Sequence, residues 1–265
     1  MIRKIRRAAI AALALLTLSA CEETRDCGGA ATKAAEAERE LPKLGLMTSL
    51  PIYWSIDADI SNLAQGNGEK PWQRELLEKQ FELVPLDTLS TIPGLSPDDP
   101  ETDPLAGLER LAVIQPRGLS PADNVALDDW VRGGGELLLV LDPILSGDYD
   151  VALGDPRLPV KNTLIPPLVE RWGLKIGVRF HETWEAGIRS AALGDGEFVV
   201  VHGGELEVID PAAADCRVLA SATIARCAVG KGVVTLLADA ALFEHSDIAG
   251  EEGEHLKLVL DFAFP

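Results

Sequence analysis

A chain of 265 residues with 42 acidic and 24 basic side chains carries a formal charge of −18 at pH 7, and such a surface repels the phosphate backbone that nucleic-acid binding must neutralise. Apolar residues make up 47% of the chain, which is ample for a core, yet after the first twenty residues no stretch approaches the roughly 20 consecutive apolar residues of a membrane span. The four cysteines form no Cys-x-x-Cys pair and no Cys/His cluster, so neither a structural zinc site nor a cofactor is expected.

The chain opens on a basic segment, Arg3, Lys4, Arg6 and Arg7, followed by the apolar run from Ala8 to Leu18 and then Leu18-Ser19-Ala20-Cys21. A basic start, a short apolar run and small residues before a cleavage point make a secretion signal over residues 1–20. The last four residues resemble the bacterial lipobox, which implies cleavage before Cys21 and a lipid on its sulfur. An ordinary signal peptide with a chance cysteine is the alternative. Losing the four basic residues takes the charge to about −22, so attachment must come from acyl chains and not from a basic patch. The expected location is the bacterial cell envelope, lipid-anchored and facing the periplasm. Residues 21–40, polar and rich in Ala and Glu, read as a tether, and 41–265 as a single α/β domain.

Within that domain, "KLGLMTSL" (43–50) is a strand and "EKPWQRELLEKQ" a helix through Trp72, Leu76 and Leu77. "FELVPLD" is a second short strand, 90–107 is a Pro/Asp-rich loop, and "RLAVIQP" is a third strand. Ser120, Pro121 and Asp123 have the spacing of an N-cap, first-turn proline and capping box. Leu127, Trp130 and Val131 then form an apolar stripe, and Gly133 suits the left-handed position that closes a helix. "ELLLVLD", apolar on both faces, reads as a buried parallel strand. The order is helix, glycines, strand. A phosphate loop needs strand, glycines, helix, because its donors are the free N–H groups at a helix N-terminus, so Gly133-Gly134-Gly135 is a structural hinge.

Beyond Asp142 comes an acidic loop, and "NTLIPPLVERWG" is a helix from about Pro166 closed by glycine. Short strands with Gly turns follow, as a β-rich insertion over about 175–230. In it Cys216 and Cys227 fall opposite each other if the hairpin turns at Ser221-Ala222, and an oxidising periplasm permits a disulfide there. "GKGVVTLLADAALFE" is a buried strand with a turn at Asp239, and "EGEHLKLVLDFAF" a C-terminal amphipathic helix. Strands alternating with helices predict an open, mostly parallel sheet sandwiched by helices.

The segment "LERLAVIQPRGLSPADNVALDDWVRGGGELLLVLDP" resembles a recurrent stretch of the auxiliary, non-ATPase components of uncharacterised ABC-type transport systems, the gliding-motility type included. "GKGVVTLLADAALFE" is similar to their later Gly-Lys-Gly, strand, Asp, Phe element. The resemblance covers roughly 43–143 and 229–264. It implies a flavodoxin- or class I amidotransferase-like sandwich without the amidotransferase nucleophile, and a permease/ATPase complex as partner. The chain departs from that family in its short length, its lipobox and its lack of a C-terminal membrane anchor.

The chemistry-bearing residues point the same way. Neither Cys216 nor Cys227 follows a buried parallel strand, Cys27 lies in the tether, and there is no G-x-S-x-G elbow. Ser49 follows the first strand but leads into Pro51 rather than a helix. His181, His202, His245 and His255 are scattered, without metal-binding spacing. Asp57, Asp59, Asp148, Asp150 and Asp155 lack the glycine and terminal glutamate of a calcium loop, so no metal is expected. Ligands of such sheets lie outside the carboxyl ends of the strands. The binding candidates there are Thr48, Ser49, Tyr53 and Trp54 after the first strand, Gln115 and Arg117 after the third, Asp142 after the fourth and Asp239 after the late strand. Tyr53 and Trp54 would form a stacking wall for a sugar or peptide and Arg117 an anchor for an anionic group. Packing of the loop, for the aromatics, and capping of their own turns, for the two aspartates, are the plainer readings. No catalytic residue is expected. An envelope hydrolase or transferase working through Ser49 or the carboxylates is the alternative, as is a scaffold whose crevice is filled by Tyr53 and Trp54.

Overall fold

A computed structural model describes residues 40–58, 61, 69–96 and 98–265. The signal segment, Cys21 and Cys27 lie outside the described residues, as does Asp59. Among the described residues eleven strands are arranged around a seven-stranded sheet of order β2-β1-β3-β4-β11-β10-β9. Five are parallel: β1 (Lys43–Thr48), β2 (Glu82–Pro85), β3 (Arg110–Ile114), β4 (Glu136–Val140) and β11 (Gly232–Leu237). The last two, β10 (Ile224–Val229) and β9 (Asp215–Leu219), run antiparallel and extend the sheet beyond β11. The molecule is therefore of the α/β class, with a mostly parallel central sheet and helices packed against it.

The apolar runs on the central strands feed two cores. Leu138 and Val140 of β4 join Leu44, Leu46, Ala112 and Ile114 on one face, while Leu137 and Leu139 join Leu111 and Val113 on the other. Side chains alternate across a strand, so only a strand apolar at every position can fill both. The first face is covered by α1 (Trp72–Glu78), the short α4 (Ala241–Glu244) and α5 (Ser246–Ala249), and the C-terminal α6 (Glu254–Ala263). Leu256, Val259 and Leu260 of α6 are buried, worth about 2 kcal/mol each against exposure. The second face is covered by α2 (Pro121–Gly133) through Leu127 and Val131, and by α3 (Pro167–Arg171) with the buried Trp172.

The β-rich stretch over 175–230 is divided among three places and does not stand apart. The antiparallel pair β5 (Leu174–Gly177) and β8 (Glu205–Val208) packs on the second face, and the hairpin β6 (Ile188–Leu193) and β7 (Gly196–Val201) on the first. The β9–β10 hairpin completes the sheet. In it Cys216 pairs with Cys227, and the two are joined by a disulfide with Cα atoms 4.0 Å apart. The turn is wider than Ser221-Ala222: pairing ends at Leu219 and Ile224, with Ala220, Ser221 and Ala222 all left-handed. Both versions of the turn leave the register unchanged.

The glycine hinge differs by one residue from its expected position. Gly133 is the last helical residue of α2, and the positive φ (129°) falls on Gly134. Gly135 is required for a different reason: a Cβ there would lie 2.4 Å from the Trp130 ring. At the other end of α2 the capping box is complete, with Asp123 N–H donating to Ser120 Oγ and Ser120 N–H donating to Asp123 Oδ2. On α1 the buried residues are Leu77 and Gln73, whose Nε2 donates to the Phe243 carbonyl; Trp72 and Leu76 are only partly buried. Among the described residues no helix is long and apolar enough to cross a membrane.

Candidate functional site

The carboxyl ends of β1, β3, β4 and β11 come together along one rim of the sheet. Ser49, just past β1, donates its hydroxyl to the Gln115 carbonyl (2.5 Å) and accepts from Val160 N–H (3.4 Å). Gln115, just past β3, has a left-handed backbone (φ 43°) and no exposed surface. Its amide nitrogen donates to the carbonyls of Asp142 (3.0 Å) and Val160 (2.8 Å), and its oxygen accepts from Asp142 N–H (2.8 Å). One side chain thus ties the ends of β3 and β4 to the loop at residue 160.

Val140 pairs with Leu237 in register, and the next residues bring Asp142 and Asp239 to the same level on neighbouring strands. Both are buried. Asp142 Oδ1 accepts from Ile144 N–H in its own turn (2.8 Å) and Oδ2 from Ala240 N–H in the turn of its neighbour (2.9 Å). Asp239 Oδ1 accepts from Ala241 N–H (2.7 Å) and Oδ2 from Val201 N–H at the end of β7 (2.7 Å). Burial, and then the neighbouring Asp239 charge, push the Asp142 carboxyl well above its ordinary pKa in spite of these bonds. Burial pushes Asp239 up to about 7, against the pull of its two N–H donors and of Arg189.

Beside this brace lies an open cleft of about 260 Å³, lined by Thr48, Ser49, Tyr53, Trp54, Asp87 and Arg157 among others. Thr48 Oγ1 accepts from Leu50 N–H, which turns the chain out of β1. Tyr53 and Trp54 meet edge to face (centroids 4.9 Å), and the Arg74 guanidinium lies 4.0 Å from the Tyr53 ring centre. Trp54 is 52% exposed. The structure therefore brings Thr48, Ser49, Tyr53 and Trp54 to one cleft, while Gln115, Asp142 and Asp239 sit buried as the brace. Arg117 points elsewhere, its guanidinium donating to the Pro156 carbonyl (2.5 Å). The cation at the cleft is Arg157, held in a fork by Asp155 and donating to the Ile56 carbonyl. Its only sequence signal is its being one of two basic residues, with Lys161, in the acidic loop.

Two further clusters have no local sequence signature. Glu244 on α4 accepts from Ser146 N–H, Gly147 N–H and the Tyr149 hydroxyl, clamping the loop after β4. The Tyr149 hydroxyl is pushed up by burial and by this carboxylate. Ser146 Oγ also lies 2.9 Å from His245 Nε2, but the N–H groups that could stabilise an oxyanion beside it are occupied by Glu244. The second cluster gathers His181 and Trp184, from the loop before β6, with Arg189 on β6 and His202 after β7. Trp184 stacks on His202 (centroids 4.0 Å, 34° between planes), and His181 meets His202 edge to face at 5.5 Å. His181 is lowered from its ordinary pKa by desolvation and then by the charges of His202, Arg189 and Arg179. Among the described residues no group of three or more His, Cys, Asp or Glu side chains is arranged to hold a metal ion.

No family model matches the chain, and no curated protein matches it by sequence. Solved structures resemble it distantly. An exo-β-1,4-mannosidase from Opitutaceae bacterium strain TAV5 aligns over 88% of this chain and 38% of its own, at 14% identity and a TM-score of 0.45. A β-galactosidase from Rahnella sp. R3 aligns over 85% and 32%, at 11% identity and a TM-score of 0.45. A cytoplasmic protein from Salmonella typhimurium LT2 aligns over 84% of this chain and 99% of its own, at 14% identity and a TM-score of 0.44. The chain spans well under half of the two glycosidases, and at these scores the likenesses assign it no activity.

Proposed function

We propose that the chain is a lipid-anchored, periplasm-facing accessory of an ABC-type transport system, a flavodoxin- or class I amidotransferase-like domain that binds a ligand or partner and carries out no catalysis. The observation that carries this reading is the use made of the rim. Ser49, Gln115, Asp142 and Asp239 stand where a doubly wound enzyme keeps its reactive groups, and their polar atoms are bonded to backbone groups of the turns around them. The strand order β2-β1-β3-β4-β11 supports the fold half, since it follows the 2-1-3-4-5 order of flavodoxin-like sheets. The cleft faced by Tyr53 and Trp54 supports the binding half, for a sugar or peptide stacked on the rings.

The test has two arms. Cys21→Ser should move the protein from the membrane fraction to the soluble one, and the wild-type protein, captured from detergent-solubilised envelopes, should retain an ATP-hydrolysing subunit and a permease. A hydrolytic activity on envelope polymers that disappears in Ser49→Ala, Asp142→Asn or Asp239→Asn, with the fold intact, would replace this reading with that of an enzyme.

A further inference from the structure

In a chain of charge −18, the His181–Trp184–Arg189–His202 cluster concentrates cationic and N–H groups at one place. Arg189 and His202 share one face of the β6–β7 hairpin as diagonal neighbours, since Ile188 pairs with Val201 and His202 N–H donates to the Gly187 carbonyl. The backbone is shaped around the imidazole. His202 takes a left-handed φ of 56° that non-glycine residues seldom adopt, and a Cβ on Gly187 would lie 2.3 Å from its ring. Arg189 Nη2 donates to Thr223 Oγ1 (2.7 Å), but its Nε and Nη1, together with Nε2 of His181 and of His202, are buried without a hydrogen-bond partner.

Polar nitrogens left buried without a partner are destabilising, and several gathered together, each able to present an N–H, call for a shared acceptor. The neighbouring carboxylates are engaged elsewhere: both Asp239 oxygens take backbone N–H groups, and Glu205 pairs with Arg179 (2.7 Å). A metal ion is disfavoured by the guanidinium. We infer that this cluster is an oxyanion site, taking a phosphate monoester or carboxylate carried by a ring-bearing molecule. Arg189, His181 and His202 donate to the anionic oxygens. The exposed Trp184 (54%), with Phe180 (86% exposed) close by in sequence, offers a face for the ring. The site is independent of the transporter partnership and separate from the cleft at Tyr53 and Trp54.

The full chain in mild detergent would be titrated calorimetrically with phenyl phosphate, benzoate, inorganic phosphate and benzyl alcohol. Phenyl phosphate and benzoate should bind at least about tenfold more tightly than benzyl alcohol, and phenyl phosphate more tightly than inorganic phosphate. Arg189→Gln and His202→Asn should each weaken them about tenfold, Asn being chosen because it accepts the left-handed backbone. Arg110→Gln, at the opposite end of the sheet, should leave binding unchanged. Circular dichroism verifies folding, and His202→Asn carries the test if Arg189→Gln does not fold. The proposal is overturned if benzyl alcohol binds as well as the anions, if inorganic phosphate matches phenyl phosphate, or if a folded His202→Asn variant binds like wild type.

Discussion

Replacing Asp239 by Asn should reverse the order of stability between acid and alkaline pH. The Asp239 carboxyl is raised to about 7 in the folded chain, against about 4 in an unfolded one. Between these values the native state keeps a proton that the unfolded chain has released. Its stabilising contribution is therefore full in acid and is lost as pH rises through about 7. The loss is at most ~1.4 kcal/mol per pH unit, or about 2 kcal/mol between pH 5 and pH 7, and the raised Asp142 acts in the same direction. Asp239→Asn removes this titration. An amide offers one acceptor where the carboxylate accepts from both Val201 and Ala241 N–H, so the variant carries a pH-independent cost of about 1–2 kcal/mol. Wild type should be the more stable at pH 4, the two about equal near pH 5, and the variant the more stable at pH 8. Urea unfolding followed by tryptophan fluorescence at pH 4, 5, 6, 7 and 8, with the disulfide kept oxidised, measures both. A difference between wild type and variant that stays constant across this range would refute the reasoning.

Asp123→Ala should cost about 2–4 kcal/mol, because Leu89 and Ser90 N–H and the Thr88 hydroxyl all donate to this one carboxylate and lose it together. Hydrogen bonds hold the Asp123 carboxyl far below its ordinary pKa against the cost of burial. Its contribution is thus complete above about pH 4 and lost only as pH falls further, and the same urea titrations should show a constant loss from pH 5 to 8. Replacing Cys216 and Cys227 together by Ser opens a short loop, for which chain entropy predicts a loss of about 3 kcal/mol or less. A fall in unfolding midpoint worth under about 1 kcal/mol would mean that strand pairing alone holds the hairpin.

Local signals carried the parts of the fold that are decided locally. Ser120, Pro121 and Asp123 spell the start of α2 because capping involves neighbours in sequence, and the triple glycine marks its end to within one residue for the same reason. The apolar run of β4 marks a strand buried on both faces. Placing candidate residues at the carboxyl ends of strands picked out the rim, because the α/β order makes it a general address for ligands. The division of labour along that rim was not legible. Gln115 becomes a buried clasp only because β3 and β4 are neighbours and the loop at Val160 folds back over them. Asp142 and Asp239 couple only because β11 slots beside β4. The four histidines show no spacing in sequence; His181 and His202 meet through the β6–β7 hairpin, whose register no short motif announces.

The pairing of β4 with β11 joins Glu136 to Val233, with every strand from β5 to β10 threaded between them. A chain emerging from its N-terminus therefore offers the bare flank of β4, one of its most apolar segments, long before its partner exists. Contacts so distant along the chain close slowly. Until then that flank stays open to pairing with other chains, and fragments ending before Gly232 should aggregate through it and not persist as soluble half-domains.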